Sequence, residues 1–206
     1  MNENEGYLVV MIYVTVDGKE KETDPGERLY QGLTCNGSIG PSEIAFLAPS
    51  GIKYSDDEPT MENVKRTFSM FSERSRNKPK CLVWVHSSFT AAKVELQDGP
   101  MDIASISDLI DSLMCCSVRI VLDGPGSDLA AETMKRYGRV MIFSKRIDGA
   151  EKTSDPFDVP SIFRGDRIDH ELVYAERQRL EREGYVLIWL EGGPMIDLIV
   201  NDREKI

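Results

Sequence analysis

The chain has 206 residues, of which 41% are hydrophobic and 29% are charged, and this size and composition are typical of a single soluble globular domain. Its formal net charge of −10 argues against nucleic acid as the main partner, because phosphate backbones attract basic surfaces. No apolar run is long enough to span a membrane. The acidic start "MNENEG" is typical neither of a secretory signal nor of a basic transit peptide.

The first predicted element is a strand at residues 7–16, "YLVVMIYVTV", which is rich in β-branched and aromatic residues. Its continuous apolar character is typical of a central strand rather than a sheet edge. Residues 20–59 hold several turn motifs around one short apolar run at Ile44–Leu47. We therefore expect a single domain over residues 1–206 with a loop-rich insertion at about 20–78.

From residue 60 onwards, helical and strand patterns alternate. Thr60 is predicted to cap a helix that carries Met61, Val64, Phe68 and Phe71 at helical spacing. The further predicted elements are strands at 81–85, 118–124, 139–144 and 185–191 and helices at 101–114, 127–138 and 169–183. This alternation favours a three-layer α/β fold with a mostly parallel central sheet and helices on both faces.

The four cysteines occur at positions 35, 81, 115 and 116, without a C-x-x-C pair. Neighbouring cysteines rarely bridge one another, and Cys81 lies in an apolar run where a thiol behaves as a small hydrophobic group. The two histidines are far apart in the sequence, which argues against a structural zinc site. The sequence thus predicts a reducing, cytoplasmic location and no bound metal.

The loops that follow the predicted strands are rich in glycine, hydroxyl and basic residues, which suits a phosphate-bearing ligand. In "EGGP" (191–194), two glycines would present bare amides before a helix that starts at Pro194, although they also suit a plain tight turn. "DGPGS" (123–127) is a second candidate loop, with Ser127 as a helix cap; the alternative is a simple strand–loop–helix connection. His86 and Ser87 are adjacent in an extended chain, so their side chains are expected to point apart rather than form a nucleophilic pair.

The order of these segments resembles the diaminopyrimidine ribosylamino-phosphate reductases of riboflavin biosynthesis, which have the dihydrofolate-reductase-like fold. "YVTVDGKE" is similar to the S-x-D-G-K signature of that family, with Thr15 in place of the serine and with Asp17, Gly18 and Lys19 matching. "VRIVLDGPG", "RVMIFSKR" and "LEREGYVLIWLEGGPMIDLIVNDREKI" resemble later strands, turns and helices of the family in the same order.

The resemblance implies an NADPH-dependent oxidoreductase that transfers hydride directly to the sugar C1 of a ribosylamino-pyrimidine phosphate, without a metal. Thr15, Asp17 and Lys19 would face the phosphorylated substrate. Because the family tends to dimerise, a homodimer is also expected. The implied cofactor-binding residues are Glu191, Gly192, Gly193, Ser144, Asp123 and, in a shifted alignment, Thr90.

Two other functions stay open. The first is a non-catalytic nucleotide-binding or regulatory α/β module, which is favoured by "HSSFT" (86–90) where the family has a glycine and a threonine. The second is a nucleotide-processing hydrolase or transferase that uses the "DGPGSDLAAE" loop and Glu132.

Overall fold

The computed structural model describes residues 7–15, 24–35, 39–76, 78, 80–115, 117–135, 139–146, 158–164 and 167–191. The strands in these ranges are β1 Tyr7–Tyr13, β2 Ile44–Leu47, β3 Lys80–His86, β4 Lys93–Leu96, β5 Gly99–Asp102, β6 Ser117–Asp123, β7 Arg139–Arg146, β8 Phe163–Arg164, β9 Arg167–Ile168 and β10 Tyr185–Glu191. The α-helices are α1 Pro25–Thr34, α2 Met61–Ser75, α3 Ile103–Asp111, α4 Ser127–Met134 and α5 His170–Arg182.

A six-stranded sheet forms the centre of the protein, in the order β10-β7-β6-β3-β1-β2. Strands β2, β1, β3, β6 and β7 are parallel to one another, whereas β10 runs antiparallel to β7. The chain passes from β1 to β2 on one side and then to β3 on the other side of β1. The strand order therefore reverses between β1 and β3, which is the topological switch point of the sheet.

Both faces of the sheet are buried, because successive side chains of a strand point to opposite faces. In β1, Leu8, Val10 and Ile12 belong to one apolar core, which α2, α3, α4 and the β4–β5 hairpin cover. Tyr7, Val9, Met11 and Tyr13 belong to the second core, which α1 and α5 cover. The chain is thus a three-layer α/β protein, as the sequence predicts. Its assignment to the dihydrofolate-reductase-like fold stays a prediction.

The predicted helix after Thr60 is confirmed: the Thr60 hydroxyl accepts a hydrogen bond from the Asn63 amide, and Val64, Phe68 and Phe71 are buried. The predicted strands at 81–85, 118–124, 139–144 and 185–191 correspond to β3, β6, β7 and β10. The predicted helix at 169–183 corresponds to α5, with Asp169 as its N-cap.

The expectation of a loop-rich segment before residue 60 is corrected by α1 and β2. Asp24 caps α1 by accepting hydrogen bonds from the amides of Gly26 and Glu27, and Pro25 occupies the first turn, where its missing N–H costs nothing. Strand β2 pairs with β1 over four residues. This part of the chain therefore contributes a helix and a strand to the central layers.

The predicted helix at 101–114 is shorter in the structure and follows a hairpin. Strands β4 and β5 pair antiparallel, and Gly99 takes a positive φ of 122° at the end of their turn. Met101 and Asp102 consequently belong to β5, and α3 starts at Ile103. The alternation in "KVEL", with Val94 and Leu96 buried and Lys93 and Glu95 exposed, is the strand signal that precedes the helical pattern.

The outer edge of β2 is covered by residues 55–57. The Asp56 amide donates to the Phe46 carbonyl at 2.7 Å, the Ala48 amide donates to the Asp57 carbonyl at 2.9 Å, and Leu47 forms a parallel bridge with Asp57. The Asp56 carboxylate also accepts from the Phe46 amide at 2.9 Å. The backbone groups on this side of β2 are therefore hydrogen-bonded within the chain.

Candidate functional site at the switch point

Three polar side chains lie in one row at the carboxyl ends of neighbouring parallel strands. Tyr13 of β1 is in register with His86 of β3, and His86 is in register with Asp123 of β6. In-register residues of a parallel sheet share a face, and here it is the face that α1 and α5 cover. Because β1 and β3 also flank the switch point, the row lies where open α/β sheets bind ligands.

His86 and Asp123 form the central pair of this row. The imidazole Nδ1 lies 2.8 Å from Asp123 Oδ2, and the side chains are 12% and 3% exposed, respectively. A carboxylate at this distance fixes the orientation of the ring. The imidazole is therefore the more accessible member of the pair.

Tyr13 joins this pair to the start of α1. Its ring stacks on His86 at a centroid distance of 4.9 Å and on Trp84 at 6.0 Å. Burial raises the pKa of the Tyr13 phenol, and the charge of Asp24, its hydrogen bond to the phenol and the charge of Asp123 raise this pKa further. Since Asp24 also caps α1, it holds the helix end and the phenol together.

Trp84 adds a buried nitrogen to the same region. Its side chain is fully buried, and its ring lies 5.9 Å from that of His86. The indole Nε1 has no hydrogen-bond partner in the described part of the chain. A buried donor without a partner costs free energy. The hydrogen-bonding groups at this end of the sheet are therefore not all paired within the described part of the chain.

We predict that Tyr13→Phe makes stability less sensitive to alkaline pH. The folded-state pKa of this phenol lies above its ordinary value of about 10. The stability that the phenol contributes is therefore fully present below about pH 10 and is lost as the pH rises further. The wild-type free energy of unfolding should therefore fall more steeply above about pH 10 than that of the variant. Urea unfolding at several pH values measures both slopes, and equal slopes would contradict the prediction.

The predicted phosphate loop at 123–127 is packed against the segment that follows β3. A Cβ on Gly124 would lie 1.9 Å from the Ser87 carbonyl oxygen, and one on Gly126 would lie 2.1 Å from that of Phe89. The Ser87 amide donates to Asp123 O at 3.0 Å, and the Phe89 amide donates to Pro125 O at 2.8 Å. The glycines thus permit close contact between two loops, which favours the structural interpretation of this motif.

Ser127 does not cap α4 as the sequence predicts, and Glu132 lies on the same helix. The N-cap of α4 is Gly126, with a positive φ of 80°, and Ser127 is the first helical residue. Its hydroxyl donates to the Ser144 carbonyl at 2.9 Å, so it ties α4 to β7 rather than capping the helix. Glu132 is exposed on α4, away from the residues that this helix buries against the sheet.

Of the predicted cofactor residues, Glu191 lies far from Ser144, because β10 is antiparallel to β7. Ser144 pairs with Leu187, and Glu191 pairs with Val140 near the amino end of β7. Glu191 is four residues beyond Leu187, which corresponds to about 13 Å along the strand. The backbone of Glu191 therefore lies at the amino-terminal end of the parallel strands, whereas Asp123 and Ser144 lie at their carboxyl-terminal end. Gly192 and Gly193 are outside the described residues.

Two of the other predicted site residues can be placed. Thr90 is exposed in the turn before β4, where its hydroxyl accepts hydrogen bonds from the amides of Ala92 and Lys93. Thr15 is exposed just after β1. Asp17 and Lys19 lie outside the described residues.

Among the predicted cofactor residues, Asp123 and Ser144 are the two that the sheet brings together, since Leu122 pairs with Phe143 immediately before them.

The sequence predicts that the side chains of Ser87 and His86 point apart, and the structure agrees. The Ser87 hydroxyl is buried and donates to the Glu95 carbonyl at 2.6 Å. Sequence reasoning missed Tyr13, Asp24 and Trp84 as members of the site. The position of Tyr13 at the end of a central strand and the helix-start pair Asp24-Pro25 are the signals that identify two of them.

These features define a three-layer α/β protein with a polar, aromatic site at its switch point. No protein-family model and no curated protein matches the chain. Within the described ranges, no helix has both the length and the apolar character needed to cross a membrane. In that same part of the chain, no three side chains of His, Cys, Asp or Glu gather where they could hold a metal ion.

Proposed function

We propose that this protein is a nucleotide-binding α/β module without catalytic activity, and that its ligand occupies the switch-point crevice beside His86. The observation that carries the proposal is the in-register row of Tyr13, His86 and Asp123 at the carboxyl ends of the strands that flank the switch point. Ligands of open α/β sheets bind at this position.

The side chains at this proposed position favour the nucleoside part of such a ligand over its phosphates. The partly exposed ring of His86, stacked on the buried ring of Tyr13, offers an aromatic group on which a planar base can stack. The carboxylates of Asp24 and Asp123 accept hydrogen bonds and repel anions. A heterocyclic base with ribose hydroxyl groups matches this combination, since carboxylates at such sites bind ribose hydroxyls.

Calorimetric titration with adenosine, uridine and their monophosphates tests this proposal. We expect binding of at least one nucleoside, and His86→Gln should weaken it by tenfold or more because it replaces the ring that contacts Tyr13. His170→Gln is the matched control, because His170 is the second of the two histidines and lies exposed on α5. The proposal is wrong if no nucleoside binds, or if both variants bind as the wild type does.

The second candidate is the NADPH-dependent reductase of a ribosylamino-pyrimidine phosphate. The observation that favours it is that Asp123 and Ser144 lie at the same edge of the sheet as the end of β1, from which the chain continues to Thr15. The position of Glu191 at the other edge counts against it.

NADPH and NADH serve as further ligands in the same experiments. The reductase predicts enhanced nicotinamide fluorescence and a higher melting temperature with NADPH, because a ligand that binds the folded state stabilises it. Nucleoside binding without any response to either dinucleotide would leave the non-catalytic module as the function.

A further inference from the structure

A basic and aromatic cluster lies at the opposite edge of the sheet from His86. It consists of Tyr7, Lys80 and Arg119, which lie near the amino ends of β1, β3 and β6 on the face that α1 and α5 cover. Tyr7 is in register with Lys80. The Arg119 guanidinium donates to the Tyr7 hydroxyl at 3.0 Å. The two cationic groups lie 5.7 Å (Lys80 Nζ) and 6.0 Å (Arg119 Cζ) from the centroid of the Tyr7 ring.

Arg119 is a half-buried arginine that forms no ion pair within the described part of this acidic chain. Arg74, Arg76 and Arg182 also lack an ion pair there, but they are exposed. Arg28, Arg66, Arg139, Arg177 and Arg179 each form an ion pair with an aspartate or glutamate. The hydrogen bond of half-buried Arg119 instead goes to a neutral phenol. Within the described residues, no carboxylate lies at ion-pair distance from its guanidinium.

The geometry suits an anion with several acceptor oxygens. A guanidinium carries five N–H donors in a planar fork that matches phosphate, and the Tyr7 hydroxyl takes a single one of them. The buried Tyr7 ring, 4% exposed, fixes the position of the fork. Lys80 adds a second positive charge beside the same ring. Together these groups provide charge and orientation without a neighbouring carboxylate on Arg119.

We propose that Arg119 and Lys80, supported by Tyr7, form a binding site for a phosphate group at the amino-terminal edge of the sheet. This site goes beyond the proposed nucleoside site, which lies at the other end of the strands. Strand β10 also ends at this edge, because Glu191 and Arg119 both pair with Val140.

Thermal unfolding in inorganic phosphate, pyrophosphate and ribose 5-phosphate tests the site, with sodium chloride at equal ionic strength as the reference. We expect the wild-type melting temperature to rise with at least one phosphate compound relative to chloride. Arg119→Gln and Lys80→Gln should each weaken the apparent affinity by fivefold or more. Arg66→Gln removes the same charge from an exposed position on α2 and should bind as the wild type does.

The ligands and variants also separate the possible outcomes. A response to ribose 5-phosphate but not to free phosphate identifies a phosphate ester as the ligand, and a response to both identifies the phosphate group itself. Equal melting temperatures in phosphate and chloride, or an unchanged affinity in both variants, would overturn the proposal. If Arg119→Gln does not fold, Lys80→Gln decides. Adenosine binding should be unaffected in either variant, so failure here is distinct from failure of the nucleoside site.

Discussion

Gly124→Ala is expected to destabilise the protein by roughly 3–6 kcal/mol, through backbone strain and steric overlap together. Gly124 has a φ of 130°, and the new methyl group would lie 1.9 Å from the Ser87 carbonyl oxygen. This neighbour is backbone, held by the hydrogen bond from Ser87 N to Asp123 O, so the loop has to move. Urea unfolding followed by circular dichroism measures the loss.

Gly99→Ala is the matched control for this prediction. Gly99 has a similar φ of 122°, but nothing lies within 4 Å of the position that the new methyl group would take. We expect a loss of only about 1–3 kcal/mol, from backbone strain alone. Similar losses in the two variants would show that the contact between the loops after β3 and β6 contributes little. A much larger loss at Gly124 would assign the difference to that contact.

His86→Leu is expected to destabilise the protein by about 3–5 kcal/mol near neutral pH, because it leaves a buried carboxylate without its partner. The Asp123 side chain is 3% exposed, and its hydrogen bond goes to His86 Nδ1. The double variant His86→Leu/Asp123→Asn should recover part of this loss, since an unpaired amide costs less to bury than an unpaired charge. Chemical denaturation of the wild type, His86→Leu, Asp123→Asn and the double variant gives the coupling between the two positions.

His170→Leu makes the same substitution on the exposed first turn of α5, where the ring stacks on Trp189. The expected effect is below about 1 kcal/mol. A double variant that is less stable than His86→Leu would contradict the interpretation that the unpaired carboxylate causes the loss. The pair would then contribute through packing rather than charge.

The sequence predicts the elements with a strong apolar period and misses those with mixed signals. Helix α2 and strand β3 follow directly from Thr60, Val64, Phe68 and "CLVWV", because cap and core residues agree there. Helix α1 is hidden because Asp24, Pro25 and Gly26 are also turn residues. In the structure the first two start the helix, and Gly26 allows it to approach the Phe46 ring, which would lie 2.5 Å from a Cβ at this position.

The candidate site was predictable in part. Asp123 and Ser144 follow from the rule that the ends of neighbouring parallel strands meet at one edge, and β6 and β7 obey it. The position of Glu191 could not be predicted, because an apolar strand such as "YVLIWLE" carries no signal for its direction. Between β7 and β10 the chain also forms the β8–β9 pair and α5, so the connection is not a simple crossover. Tyr13 was missed because a tyrosine at the end of an apolar strand resembles a core residue.

The pairing of residues 55–57 with β2 has a consequence for contacts between molecules. A strand with unpaired backbone groups at a sheet border is a template on which another chain can extend the sheet. Here Asp56 and Asp57 satisfy the border from within the same chain and place two acidic residues along it. Fibre growth or domain exchange through this border first requires these hydrogen bonds to break, so the β2 side is protected against such assembly.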